Sequence, residues 1–468
     1  MRFTTEFSFA QDLDQRDELA SYRDRFVITD PDLIYLDGNS LGRLPKETIN
    51  QMHRIVEQDW GDRLIRIWND GWVNTPTELG TKIARLIGAQ PDEVLVCEST
   101  STNLFKLAVA ALRMQLGRNK VVSDVFNFPS DLYIFQGIID LLGCKHELEL
   151  IESQDSISIH LDDVASRLDE DTALLSLTHV AFKSAFMYDM KQVTEMAHEV
   201  GALVLWDLSH SVGAVPLNLS DCRVDLAVGC TYKYLNGGPG SPAFLYVRKD
   251  LQSNLIPPTW GWFASDSPFD FDLEFTPAAD ISRFRIGTPP MLSMKALEPG
   301  LDIHLEAGMD SLRAKSIQQT DYLIYLASEW LLPLGFTIGS PLDSSRRGSH
   351  ISIRHPEAFR ICRALIESPP PAVRNSNKER EESPFSQADR RSAVRNLNRE
   401  WEGSPFSQAD RRSAVRVIPD FRTPDNIRLG IAPIYTSFTD IYRALARIRV
   451  ILTEGLYERF SNERDAVT

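Results

Sequence analysis

This sequence predicts an α/β protein: a large domain on a mainly parallel sheet, followed by a smaller α+β domain toward the C-terminus. Three observations carry that prediction. Short apolar runs at 94–98, 120–125, 173–180, 202–206 and 243–247 alternate with helical stretches such as 102–116 and 189–200. Such alternation places helices on both faces of a parallel sheet, because each crossover helix must lie against the strands it connects. The pattern changes near residue 300, where 302–332 reads as one long helix, 350–354 as a strand and 440–456 as an amphipathic helix. The first fifty residues mix polar helical stretches with an Asp37-Gly38-Asn39-Ser40 turn, which predicts a segment wrapping an active site. The expected organisation is a wrapping segment over 1–50, a large domain over 51–300 and a small domain over 301–468, with the domain boundary near 295–305.

Composition narrows the class. With 468 residues and 43% hydrophobic content, the chain can bury more than one domain's core. A net charge of −15 argues against nucleic acid as a partner, since a polyanion would be repelled. No apolar stretch reaches the ~20 residues of a membrane-crossing helix, so no membrane partner is expected. The opening Met1-Arg2-Phe3-Thr4-Thr5-Glu6 has no signal-peptide apolar region. Five scattered cysteines (97, 144, 222, 230, 362) form no C-x-x-C and no disulfide framework, which predicts reduced thiols in a cytoplasm. Nine histidines include no pair at metal-ligand spacing, and no metal site is expected.

The chemistry centres on Lys233. It lies between Tyr232 and Tyr234, follows the apolar run Leu226-Ala227-Val228, and precedes Gly237-Gly238-Pro239-Gly240-Ser241. A long cation has no packing role there, and the glycines let backbone approach a bulky ligand. Burial favours the neutral form of a lysine amine, which can condense with a carbonyl. The plain alternative is a surface lysine beside a turn. Upstream, the apolar run 202–206 ends in Asp207, followed by Leu208-Ser209-His210. A carboxylate at the C-terminal end of a strand can hold the proton on the pyridine nitrogen of pyridoxal phosphate, which the ring needs in order to accept electrons. Alone, Asp207 would read as a turn cap; paired with Lys233, it predicts that cofactor.

A phosphate cradle is expected at a strand-to-helix turn. The run from Val94 through Ser99, Thr100, Ser101, Thr102 and Asn103 supplies one, with hydroxyls at a helix N-terminus. The same residues serve equally well as ordinary N-caps. In the next turn, Asn127-Phe128-Pro129-Ser130-Asp131, the aromatic ring could stack on a pyridine or act as a hydrophobic staple.

Several motifs recur together: Tyr35 to Gly42 (YLDGNSLG), Asn127 to Asp131 (NFPSD), Trp206 to His210 (WDLSH), Gly229 to Gly238 (GCTYKYLNGG), Gly261 to Phe263 (GWF), Gly287 to Pro290 (GTPP) and Arg347 to His350 (RGSH). In this order, over residues 30 to about 450, the sequence resembles the kynureninase family of fold-type I, aspartate aminotransferase-like pyridoxal phosphate enzymes. The resemblance implies a seven-stranded, mainly parallel sheet in the large domain. It implies Lys233 as the Schiff-base lysine and Asp207 as the partner of the pyridine nitrogen. Thr100, Ser101 and Tyr232 would lie near the phosphate and Phe128 on the ring. Pro129, Ser130, Asp131, Thr178 and His210 would complete the cofactor shell. Trp262 and Thr288 resemble residues contributed by a neighbouring subunit, which implies a homodimer. Arg347 resembles the arginine that holds the substrate α-carboxylate, with Ser40 and Trp68 nearby, and Arg428 is the competing candidate. The implied reaction is hydrolysis of L-kynurenine to anthranilate and L-alanine in tryptophan degradation, with Tyr232 beside Lys233 as the second catalytic group. Gly287, Thr288 and Trp68 resemble the pattern that prefers kynurenine over its 3-hydroxy derivative.

Two departures stand out. Many relatives continue Gly261-Trp262-Phe263 with Gly-His, where this chain has Ala264-Ser265. In addition, a 21-residue unit beginning at Ala372 recurs from Ala393, and the string 383–395 returns unchanged at 404–416. This segment carries ten Lys/Arg against seven Asp/Glu and few apolar residues, which predicts a disordered surface insertion over about 369–416. A basic docking loop is the sharper alternative. Two other functions fit less well. A cysteine desulfurase or lyase of the same fold usually carries histidine before the lysine and a catalytic loop cysteine. A silent scaffold would not need Lys233, Asp207 and Arg347.

Overall fold

The computed structural model describes residues 2–367 and 416–463. Its large sheet has seven strands: β2 (Val94–Val96), β3 (Lys120–Asp124), β4 (Glu147–Ile151), β5 (Thr172–Thr178), β6 (Leu203–Asp207), β7 (Leu226–Gly229) and β8 (Phe244–Val247). Their spatial order is β2-β8-β7-β6-β5-β3-β4, and only β8 runs against its neighbours. Every residue of β5, β6, β7 and β8 is buried, as expected for strands covered on both faces. The five strands expected from apolar runs are all present. β4 alternates Glu with Leu and is half-exposed at the sheet edge, which hides it from a search for continuous apolar runs.

Helices α4 (Thr100–Met114) and α5 (Pro129–Leu141) pack on one face, where Leu104, Leu107, Phe135 and Ile138 meet Leu174, Leu205 and Leu226. On the other face, α3 (Thr75–Ile87), α7 (Met190–Glu199) and α8 (Met291–Ala307) pack around Trp206, Val204 and Phe244. The single helix expected over 302–332 is two: α8 ends at Gly308, and α9 (Met309–Trp330) begins beyond it. Gly308 has φ +78°, a left-handed conformation that breaks the helical path and suits glycine.

The second core surrounds a four-stranded antiparallel sheet of order β12-β13-β10-β9, made of β9 (Thr337–Ile338), β10 (His350–Arg354), β12 (Asp420–Arg422) and β13 (Asn426–Gly430). Helices α9, α10 (Ala358–Ile366) and the final helix Phe438–Thr453 cover it, together with the N-terminal helix α1 (Phe7–Gln15). Asp14 accepts hydrogen bonds from the amides of Phe438 and Thr439 at 2.6 and 3.0 Å. A buried ion pair joins Lys315 to Asp17 at 2.6 Å. The first fifty residues therefore divide: α1 belongs to the second core, while 39–40 reach the cavity described below. The tandem repeat falls outside the described residues except for its last member, Arg416. That residue opens β11 (Arg416–Ile418) and pairs in parallel with Leu33 of β1 (Leu33–Tyr35).

Candidate active site

The carboxyl ends of β5, β6 and β7 open into a cavity of about 200 Å³ lined by Thr178, Asp207, His210, Tyr232 and Lys233 from the large sheet. Helix N-termini supply its second wall. The side chain of Ser99 caps α4, accepting from the Thr102 amide at 3.3 Å, so Thr100 and Ser101 occupy the first turn. Pro129 fills the first position of α5, where its missing N–H costs nothing. The Ser101 and Ser130 hydroxyls meet at 3.1 Å, bringing two helix N-termini to one point. Such a point attracts an anion, since both helix dipoles and free amides face it.

Lys233 Nζ lies 3.0 Å from His210 Nε2 and about 6 Å from the ring centres of Phe128 and Tyr232. The N-terminal segment holds this loop in place. The Gly42 amide donates to the Tyr232 carbonyl at 2.8 Å. A Cβ at Gly42 would collide with the Lys233 carbonyl oxygen, so glycine is required for that approach. Asp207 is buried, and its Oδ1 accepts from the Ser209 amide at 2.8 Å. Burial raises its pKa, opposed by the Lys233 cation and the Ser209 hydrogen bonds. Asp131 is pushed well up by burial and by the charge of Asp207, with Lys233 again opposing. His210 is pushed well below its usual value by burial, and next by the Lys233 cation.

The third wall comes from the small sheet and the N-terminal segment: Arg422, Arg428, Asn39 and Ser40. Arg428 donates to the Phe182 carbonyl and to Ser40 Oγ, each at 2.8 Å, and pairs with Asp420 at 2.5 Å. Arg347 goes elsewhere. Its buried guanidinium is tied to Asp321, Thr320 and the Leu342 carbonyl, and it does not line the cavity. Of the two arginines the sequence offers for a carboxylate, the structure brings Arg428 to Lys233.

Trp68, Trp262 and Thr288 also lie outside this cavity. Trp68 stacks on Phe263 with ring centres 6.1 Å apart. Trp262 is 41% exposed beside Phe269 and Phe271. Thr288 lines a second cavity of about 580 Å³, which shares Tyr232 with the first. Asn39, Phe182, Ser209 and Arg422 line the first cavity without having been assigned a role from sequence. Asn39 does sit inside a recognisable motif, the YLDGNSLG run. Phe182 carries no signal in one sequence.

Several polar atoms in the cavity are buried without a partner: both amide atoms of Asn39, Asp131 Oδ2 and His210 Nδ1. Unpaired buried groups are costly in a finished protein. Their residues line a space flanked by an amine, a strand-end carboxylate, an aromatic ring and two helix N-termini. Pyridoxal phosphate fits that set of donors and acceptors.

The comparisons agree. A family model described as aminotransferase class-V matches residues 34–353, which defines the class. Solved structures share the fold. A cysteine desulfurase from Thermococcus onnurineus NA1 superposes with TM-score 0.70 at 17% identity, covering 93% of this chain and 98% of that one. The cysteine desulfurase CsdA from Escherichia coli does so with TM-score 0.67 at 14% identity, covering 93% and 98%. A second family model, the kynureninase C-terminal domain, matches residues 383–448. Kynureninase of Pseudomonas fluorescens is 37% identical over 445 residues, 94% of each chain. Kynureninase of Burkholderia mallei is 38% identical over the same share. The chain belongs to the kynureninase family, the pyridoxal phosphate-dependent hydrolases within that class.

Proposed function

We propose that the chain hydrolyses L-kynurenine to anthranilate and L-alanine at the Lys233 cavity, as a step of tryptophan degradation. The observation that carries this reading is the convergence of Lys233, Asp207 and Arg428 on one cavity in a member of this family. Pyridoxal phosphate, when bound, supplies an electron sink for breaking the Cβ–Cγ bond.

The chain's own residues do the rest. Thr100, Ser101 and Ser130, at the two helix N-termini, would hold the phosphate, with Tyr232 near it. Phe128 and Thr178 would complete the shell around the ring. Asp207 would keep a proton on the pyridine nitrogen, with Asp131 nearby. Lys233 would anchor the cofactor and then carry the substrate α-proton, with His210 Nε2 as its neighbour. Tyr232 transfers a proton near the γ-carbonyl; burial raises its pKa, so it stays a proton donor at neutral pH. Arg428, steadied by Ser40 and Asp420, receives the α-carboxylate through a bidentate pair.

The active unit in this reading is a homodimer whose partner subunit completes the site. Trp260, Trp262, Phe269, Phe271 and Leu273 form an exposed apolar shelf, with Leu273 wholly exposed. A patch of that kind marks an interface. Trp262 and Thr288 lie away from this chain's own cavity, as residues serving another subunit would. Five free thiols support a reducing, cytoplasmic setting. L-Kynurenine is proposed as the preferred substrate over its 3-hydroxy derivative, because Gly287 offers no side chain to a ring hydroxyl. The chain is proposed to divide into a large and a small domain near 51–300 and 301–468, with α1 of the first fifty residues joining the small one and α8 carrying the large one a few residues past 300.

The test is anthranilate fluorescence after adding L-kynurenine to cofactor-loaded protein, with Lys233→Ala alongside and the mass in solution measured by light scattering. Product from the wild type alone, at dimer mass, is expected. No product from a cofactor-loaded wild type would overturn the reading.

A further inference from the structure

Phe128 lines the Lys233 cavity, yet little packing holds its ring there. The side chain is 43% exposed and meets Phe182 edge-on, with ring centres 5.3 Å apart. Its place is set by backbone instead. Residues 125–128 join the end of β3 to the first turn of α5, and each amide in that turn has a partner. Val125 donates to the Ile151 carbonyl at 3.2 Å, and Asn127 to the Asp124 carbonyl at 3.3 Å. Phe126 donates to Asp124 Oδ1 at 2.8 Å, while the Tyr188 hydroxyl donates to the other oxygen of that carboxylate. The Phe128 amide donates to Asn127 Oδ1 at 2.9 Å, and its carbonyl accepts from the Asp131 amide at 2.9 Å.

The Asn127 side chain also reaches inward. It is buried, and its Nδ2 donates to Ser123 Oγ at 3.0 Å. Ser123 Oγ in turn donates to the Ser176 carbonyl at 2.8 Å. The directions leave no choice. A hydroxyl has one proton, so Ser123 must accept from Asn127, and the asparagine must present its amide NH₂ to Ser123 and its oxygen to Phe128. The backbone pairing of β3 with β5 runs as far as Val122 and Leu175. Ser123 and Asn127 carry the link onward with side chains. One end of this chain is β5, whose last residue Thr178 lines the cavity, and the other end is the backbone of Phe128. An asparagine that merely finished a turn would not need the inward half of that chain.

We propose that Asn127 is a positioning residue that ties the Phe128 backbone to β5 through Ser123, and so holds the Phe128 ring at the cofactor. This deepens the reading that Phe128 belongs to the shell around the pyridoxal ring, and rests on it.

The test dialyses the full-length holoenzyme against graded pyridoxal phosphate, without substrate. Bound cofactor is read from its visible absorbance and circular dichroism. Phe128→Leu, which removes the ring and keeps the turn, should raise the cofactor Kd about tenfold and shrink the visible dichroism. Asn127→Ala should raise Kd about fivefold and shrink the same band, because the Phe128 amide loses its acceptor. In the double variant the loss should stay within about twofold of Phe128→Leu alone, since there is no ring left to position. Multiplied losses in the double variant would overturn the proposal, as would wild-type Kd and dichroism in Asn127→Ala. Should Asn127→Ala fail to fold, Ser123→Ala cuts the chain from outside the turn. Its expected loss of about threefold should vanish in the Phe128→Leu background, and persistence there would overturn the proposal equally. Wild-type affinity in Phe128→Leu would instead remove Phe128 from the cofactor shell, and the proposal with it.

Discussion

The two sheets meet at one cavity but reach it by different means. The large sheet delivers Asp207 and Lys233 from a strand end and the loop after the next strand, so their placement follows from parallel strand order. The small sheet delivers Arg428 and His350 from the middle and start of paired antiparallel strands, where His350 lies opposite Gly430 and Arg428 opposite Ser352. The cofactor half of the site is thus local and the substrate half is tertiary. A change in the first should remove chemistry, and a change in the second should weaken binding.

The largest effect tests the first half. Lys233→Ala should lower kcat by at least about 10³, because both the cofactor anchor and the proton carrier are lost. Bound cofactor should become removable by dialysis, checked by absorbance. A variant retaining a tenth of the activity would break the assignment.

The next effect concerns the electrostatics of that end of the sheet. His179 is buried beside Trp206, hydrogen-bonded to Ser211 at 2.9 Å, and burial pulls its pKa down to about 4. Its folded pKa is below the unfolded value, so the unfolded chain binds the proton more readily. The associated stability is complete above about pH 6.5 and is lost as pH falls toward 4, a change on the order of 3 kcal/mol. Asp37 and Asp124, each raised to about 6 by burial, act in the opposite sense between about pH 6 and 4. The informative quantity is therefore the difference between His179→Gln and wild type in denaturant unfolding. That difference should shrink steadily from pH 7 to 4; parallel curves would refute the account.

The same contrast explains what could be read from the sequence. The strands of the large sheet, Lys233, Asp207 and the Thr100-Ser101 turn were legible because each of these residues lies at or just beyond the end of an apolar run, and run ends mark strand ends. β4 was not, because an edge strand needs only one apolar face. The break at Gly308 was hidden inside a helical pattern that continues on both sides. Arg347 and Arg428 could not be separated by motif alone. Both lie in or beside small-sheet strands, and which guanidinium faces the cavity depends on strand pairing and on the Asp321 and Asp420 partners. His350 was visible as part of a motif, but its proximity to His210, with ring centres 5.5 Å apart, exists only once the two sheets meet.

Binding tests the second half. Arg428→Lys keeps the charge but loses the planar fork, and should raise the KM for kynurenine by roughly thirtyfold with a smaller change in kcat. Arg347→Lys should leave KM within about twofold and instead lower Tm, because its buried contacts to Asp321 and Thr320 are structural. The reverse pattern would return Arg347 to the substrate.

The smallest effect is the most discriminating. Ser40 Oγ accepts from Arg428 Nη2 and touches nothing on the large sheet at hydrogen-bonding distance. Ser40→Ala removes one neutral acceptor from a charged donor, a loss of about 1 kcal/mol or roughly fivefold. If Ser40 acts only by aligning Arg428, the fivefold should appear in KM, leave kcat untouched, and vanish in an Arg428→Lys background, where there is no fork left to align. An additive loss in the double variant would mean that Ser40 contacts the substrate directly, and the N-terminal segment would then belong to the binding site in its own right.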